Sequence, residues 1–200
     1  MLRPLPPHHR LLALAMLALT LCCGTIRAGE PPMISVRVEQ RGGAFIVDAC
    51  GKIPVAPATA WDVLTDFEHM ASILNNLSES RIVNRNGNTL TVQQHGTAHY
   101  GPFSYDFDSL REIVLEPRRR IVARQISGRA KQFSSVARVT PVKDGTQLRY
   151  HAEIEPDGAA GRWFGRPFVQ DEINEQLTLM AREMLRREKT ISAPESGTAK

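Results

Sequence analysis

Residues 146–155 read TQLRYHAEIE and residues 167–189 read PFVQDEINEQLTLMAREMLRREK; the change of period between these two stretches decides the fold. In the first, Leu148, Tyr150, Ala152 and Ile154 fall on one side of an extended chain. Gln147, Arg149, His151, Glu153 and Glu155 fall on the other. Such alternation predicts an antiparallel strand with one face buried and one in water. In the second, Val169, Ile173, Leu177, Met180 and Met184 recur every three or four residues. That spacing draws one apolar stripe along a helix, about 35 Å long at 1.5 Å per residue.

Working upstream from residue 146, the chain reads as strands and tight turns. Asp144-Gly145 marks one turn and Asn86-Gly87 a second, the latter a strong hairpin signal between 81–84 and 89–94. Further strands are expected at 103–115, 120–127 and 133–142, so that about five precede the one at 146–155. Before them, 57–67 predicts a helix with Pro57 in its first turn and Ala60, Val63, Leu64 and Phe67 at helical spacing. A second short helix is expected at 68–74. Earlier still, 34–38 and 45–50 are β-like and flank Gly42-Gly43. A sheet with an apolar face needs a cover, and the helix at 167–189 is the only element long enough. A curved sheet wrapped on one helix leaves a space between them.

The first 28 residues stand apart from this pattern. Residues 1–10 carry Arg3, Arg10, His8 and His9 and no acid, and 11–21 are LLALAMLALTL. A basic start followed by an 11-residue apolar run describes a secretory signal peptide; it is too short for a spanning helix, which needs about 20 residues. Ala28 offers a cleavage point before Gly29. A lipid-anchored form on Cys22 or Cys23 fits less well, because Leu21 or Cys22 stands where a small residue is expected. The mature protein is therefore expected to be secreted, with the periplasm as its destination. Residues 29–190 would form one domain and 191–200 a flexible tail.

Removing the leader also removes three of the 25 basic residues and none of the 21 acids, so the mature chain is nearly neutral. That balance argues against a nucleic-acid partner. Cys50 is then the sole cysteine. It cannot form an internal disulfide, and its default is a buried, inert side chain.

VAP at 55–57, AWDVLTDFEHM at 60–70 and NLSESRIV at 76–83 carry a family likeness, joined by EPRRRI at 116–121 and GTQLRY at 145–150. Over residues 35–187 the chain resembles the START-like (SRPBCC) superfamily, nearest its polyketide cyclase/dehydrase and lipid-transport group, which includes coenzyme Q-binding proteins. The resemblance implies an α+β helix-grip fold: a curved antiparallel sheet wrapped around the C-terminal helix, with two short helices after the first strand. It also implies a hydrophobic cavity. Members of that group are mostly intracellular, so the leader is a departure from it.

No metal or catalytic pattern stands out, and no cofactor is implied. His95 and His99, four apart on a strand, lie about 13 Å from each other, too far to share a metal. Asp106, Asp108 and Glu112 form the polar side of a strand whose other side carries Phe103, Tyr105 and Phe107. The expected ligand-contacting set is Phe103, Tyr105, Phe107, Arg124, Tyr150, Ala152, Phe168, Ile173 and Leu177. Tyr105, Tyr150 and Arg124 would orient a ligand's polar end. Alternatively, the tyrosines are ordinary core residues and Arg124 is exposed on the outer face. Trp163 and Phe164, beside Arg162 and Arg166, would form a gate or a transient membrane contact, or else a hydrophobic staple at the helix start. The leading expectation is a protein that encloses a lipid or other hydrophobic small molecule. A cyclase or dehydratase using the same cavity, and an interaction protein whose cavity is filled by its own side chains, are the alternatives.

Overall fold

The computed structural model describes residues 34–192 apart from 102, 158 and 159. The expected leader and most of the expected tail lie outside the described residues, as do the side chains of Phe103, Trp163 and Phe164. Eight strands are β1 (Ile34–Arg41), β2 (Ala44–Ile53), β3 (Leu77–Asn86), β4 (Thr89–Tyr100), β5 (Phe103–Glu116), β6 (Arg120–Gly128), β7 (Ala130–Val142) and β8 (Gly145–Pro156). The helices are α1 (Pro57–Leu64), α2 (Met70–Ile73) and α3 (Ala160–Ser192).

All strands pair antiparallel in one sheet ordered β1-β2-β8-β7-β6-β5-β4-β3. Neighbours in sequence are neighbours in the sheet except where β8 returns to pair with β2. Gly87, at φ 56°, supplies the left-handed residue that the β3–β4 turn needs. The short helices follow β2, not the first strand, and both are briefer than their sequence spacing suggests. α1 stops at Leu64 and α2 has a single turn. Between them Thr65 returns its hydroxyl to the Trp61 carbonyl, 2.9 Å, and such local bonds compete with helix continuation.

α1 has no side-chain cap of its own. Glu188, from the far end of α3, accepts from the Ala56 N–H at 3.1 Å and from the Thr59 hydroxyl. A carboxylate there suits the positive end of a helix. Arg187 extends the same tie, donating to Asp66 at 2.6 Å and to Glu183 at 2.7 Å. The Arg186 hydrogen bond is the chief cause that pulls Glu183 down to about 2, with burial opposing it and Arg187 adding to it.

α3 is broken at Gly165, whose φ is 63°. Pro167, near the first turn of the longer segment, opens the run that the apolar stripe anticipated. That run continues to Ser192, three residues beyond Lys189. No described helix is long and apolar enough to cross a membrane.

The stripe is where helix meets sheet. Ala181 and Met184 are fully buried against Ile53, Val63 and Leu148. Val169 and Ile173 close over a second cluster of Val38, Phe45, Val47 and Ala152. α3 thus sits on the β1-β2-β8 part of the sheet. A third cluster, with Phe67, Leu90, Val92 and Ile113, lies under α1 and α2. The alternation of β2 that points Phe45, Val47 and Ala49 inward points Asp48 and Cys50 outward, so Cys50 is exposed rather than buried.

Candidate functional site

Because α3 rests on one part of the sheet and the α1–α2 segment on another, the concave face between them is not filled. The result is a cavity of about 380 Å³, within the range of small-molecule sites. Its floor is sheet: Val92, Ala98, Ile113, Ala123 and Ala137 contribute. Leu64, Phe67 and Met70 close one side, and Ile173, Leu177 and Met180 of α3 close the other. The lining is mostly apolar, so a greasy ligand placed there leaves water at roughly 25 cal/mol per Å².

Of the nine residues singled out from the sequence, six line this space: Tyr105, Phe107, Tyr150, Phe168, Ile173 and Leu177. Ala152 does not. It points to the concave side, but α3 sits directly on it, and it is fully buried beneath Val169 and Ile173. Arg124 is exposed on the convex face. β6 carries apolar residues at both parities, Ile121 and Ala123 against Val122 and Ile126. The structure buries the first pair and leaves Ile126 56% exposed, which sends Arg124 outward. Asp106 and Asp108 are exposed, Asp106 accepting from the Thr97 hydroxyl at 2.8 Å and Asp108 reaching the rim of the cavity, where it faces Arg129 at 3.8 Å.

The residue that sequence reasoning missed is Arg111. The odd positions of β5 run Tyr105, Phe107, Ser109, Arg111, Ile113, and the cavity takes all of them. Following that alternation four residues beyond Phe107 finds it. Arg111 is half-buried in the lining of the cavity. Its guanidinium carbon stands 4.4 Å from the Phe133 ring centre. Its Nε is buried without a hydrogen-bond partner, and no ion pair reaches the side chain among the described residues. Burial lowers its pKa, with Tyr150 opposing, but a guanidinium stays charged in proteins. Desolvating such an ion costs several kcal/mol, and a cation–π contact returns about 2 kcal/mol. Tyr150 lies near. Burial raises its hydroxyl, while Arg111 and the Ser135 hydroxyl pull the other way, so it remains a neutral donor.

A separate polar group joins the cavity from α3. Glu172 accepts from Asn76 Nδ2 at 2.5 Å and from Gln176 Nε2 at 3.0 Å. Burial raises its pKa, and those two hydrogen bonds only partly offset the effect. A carboxyl raised on folding keeps its proton longer in the folded state. Stability is therefore lost as pH climbs from the unfolded value, about 4.3, through the folded one. Glu172→Gln retains an oxygen for both amides and removes the charge. Its thermal midpoint is expected to exceed that of wild type at about pH 8, with the difference closing by about pH 4. Melting curves across that range check it.

The chain belongs to the polyketide cyclase / dehydrase and lipid transport family, whose model matches residues 44–185. None of the curated proteins matches it in sequence. Among solved structures, it is similar to a STAR-related lipid transfer protein from Xanthomonas axonopodis. Identity is 12% and the TM-score 0.67, over 78% of this chain and 96% of that one. The Zhui aromatase/cyclase from Streptomyces sp. R1128 is 16% identical with a TM-score of 0.62, over 77% and 99% of the two chains. The human StarD13 lipid transfer and protein localization domain is 15% identical with a TM-score of 0.59, over 76% and 84%. At these identities the likeness establishes the START helix-grip fold, the one implied by the motifs at 55–83.

Proposed function

We propose that this protein binds a hydrophobic small molecule or lipid in the cavity between the sheet and α3. The observation that carries the reading is the mostly apolar 380 Å³ space left where α3 does not cover the sheet. Binding there is driven by burial, and a few polar side chains set the ligand's direction. The lipid transfer proteins among its structural neighbours support the same reading. An interaction protein with a filled core is disfavoured by the open space. A cyclase or dehydratase acting in the cavity is the second reading, favoured by Tyr150 beside Arg111. The two separate on whether a molecule is recovered unchanged.

Organic extracts of the purified protein are expected to contain one hydrophobic compound in stoichiometric amount. The delipidated protein should take up Nile red, with saturating fluorescence and a raised thermal midpoint. A ligand at 100 times its Kd stabilises by about 2.7 kcal/mol. An empty extract together with no uptake of Nile red would sink the proposal.

Export belongs to the same reading. The basic start and the apolar run at 11–21 support a cleaved leader, and a periplasmic ligand carrier is the outcome we favour. The first peptide of the protein recovered from the periplasm should begin near Gly29. Recovery of an uncleaved chain, or of one acylated on Cys22 or Cys23, contradicts this.

A further inference from the structure

We infer that Arg111 is the seat of an anionic headgroup, and that the cavity is built for a slim amphiphile with a single carboxylate at its inner end. The inference rests on the hydrophobic-ligand reading above and names the chemistry of the ligand.

The argument starts from an imbalance. Arg111 is the one cation among the described residues lining the cavity. Asp108 and Glu172 also line the cavity, but Asp108 faces Arg129 at 3.8 Å and Glu172 is bonded to Asn76 and Gln176. No ion pair reaches Arg111 among the described residues. Its Nε has no acceptor, and its one contact of note is the Phe133 ring, 4.4 Å from the guanidinium carbon. The edge of a guanidinium is where N–H groups point, and it matches a carboxylate in two parallel hydrogen bonds. Phe133 anchors the guanidinium at this place in the wall and takes none of its N–H groups. The neutral Tyr150 hydroxyl shares the lining and feels the charge of Arg111, which offers a second polar group on the same wall.

Charge and volume narrow the class further. Arg111 is the single cation of the lining, and the two acids there, Asp108 and Glu172, disfavour further negative charge, so one carboxylate suits the site better than the two charges of a phosphate monoester. A cavity of 380 Å³ lies at the small end of ligand sites, which suits one chain better than two. The walls beyond Arg111, from Val92, Ile113 and Ala137 to Leu177 and Met180, are apolar and suit a hydrocarbon body. The Glu172 carboxyl repels an anion, so head and tail are not interchangeable: the head belongs at Arg111.

The test uses the purified chain and cis-parinaric acid, a fluorescent C18 carboxylate, alongside its methyl ester and Nile red. Wild type is expected to bind the acid at least about tenfold more tightly than the ester, equivalent to about 1.4 kcal/mol. Arg111→Met keeps the length of the side chain and removes the charge. It should bind acid and ester within about twofold of each other and still take up Nile red. Its thermal midpoint should not fall, because replacing an unpaired buried ion by an apolar group is neutral or stabilising. Arg111→Gln, which keeps a donor without the charge, should also lose the preference. Dodecyl phosphate should displace parinaric acid less well than dodecanoate does; the reverse order would overturn the carboxylate assignment. Equal binding of acid and ester by wild type, or a preference that survives in Arg111→Met, overturns the inference while leaving the hydrophobic-ligand reading intact. Failure of wild type to bind any of the three probes overturns that reading itself.

Discussion

Gly96→Ala is expected to destabilise the protein by about 3 kcal/mol and to weaken probe binding in the cavity at the same time. The backbone of Gly96 is of an ordinary extended kind; space is what the position lacks. A Cβ built there would stand 2.0 Å from the Asn76 carbonyl oxygen and 2.7 Å from Cζ of Phe107. Neither neighbour is free to yield. The Asn76 carbonyl accepts the Thr97 N–H at 2.8 Å, and the Asn76 side chain donates to Glu172. Phe107 is the cross-strand partner of Gly96 and lies over it, with its ring in the cavity wall. An added methyl group must therefore lift the 74–77 connection away from β4, or push the phenyl ring into the ligand space. Urea unfolding reports the first effect and Nile red titration the second. Wild-type stability and wild-type affinity in this variant would mean that the connection does not sit on β4.

Much of this architecture was readable because its signals are periodic. β8 alternates without a fault over its length, and the stripe on α3 is unbroken from Val169 to Met184, so the two elements that grip each other identify themselves. β6 is the counterexample. Its apolar residues occupy both parities, and a register shift in its pairing with β5 lies beside Gln125. Only pairing with β5 and β7 decides which parity is inside. For that reason the sequence leaves Arg124 open between the cavity side and the outer face. Ala152 failed differently. Its face was legible, but not whether the helix would rest on it or stand away from it; that depends on where α3 crosses the sheet, which no local pattern encodes.

Arg111 shows a third limit. Alternation places it inward as firmly as Phe107, yet a charged residue in an apolar series reads as an interruption of the series. Buried ions are rare because of their desolvation cost. The pattern was sound, and the exception to it is the residue with chemistry to offer. Consistency across local and global signals specifies a fold, and a local violation is where function is expected.

The last and largest contrast lies along α3 itself. Met184→Ala should cost about 2–5 kcal/mol, whereas Leu177→Ala, on the same stripe, should cost about 1 kcal/mol. Met184 is fully buried and packed among Ile53, Val63 and Leu148, so truncating it opens a new void that close-packed neighbours cannot fill. Leu177 borders space that already exists. Shortening it forfeits some contact with the wall and enlarges the cavity, with no new hole in the core. The two positions are two turns apart, about 10 Å, so their effects should add to within about 0.5 kcal/mol. Leu177→Ala should in addition change the affinity for Nile red, and Met184→Ala should leave it near the wild-type value under conditions where the protein is folded. Equal and large losses of stability at both positions would mean that α3 packs against the sheet along its whole length, and then no room would remain for a ligand.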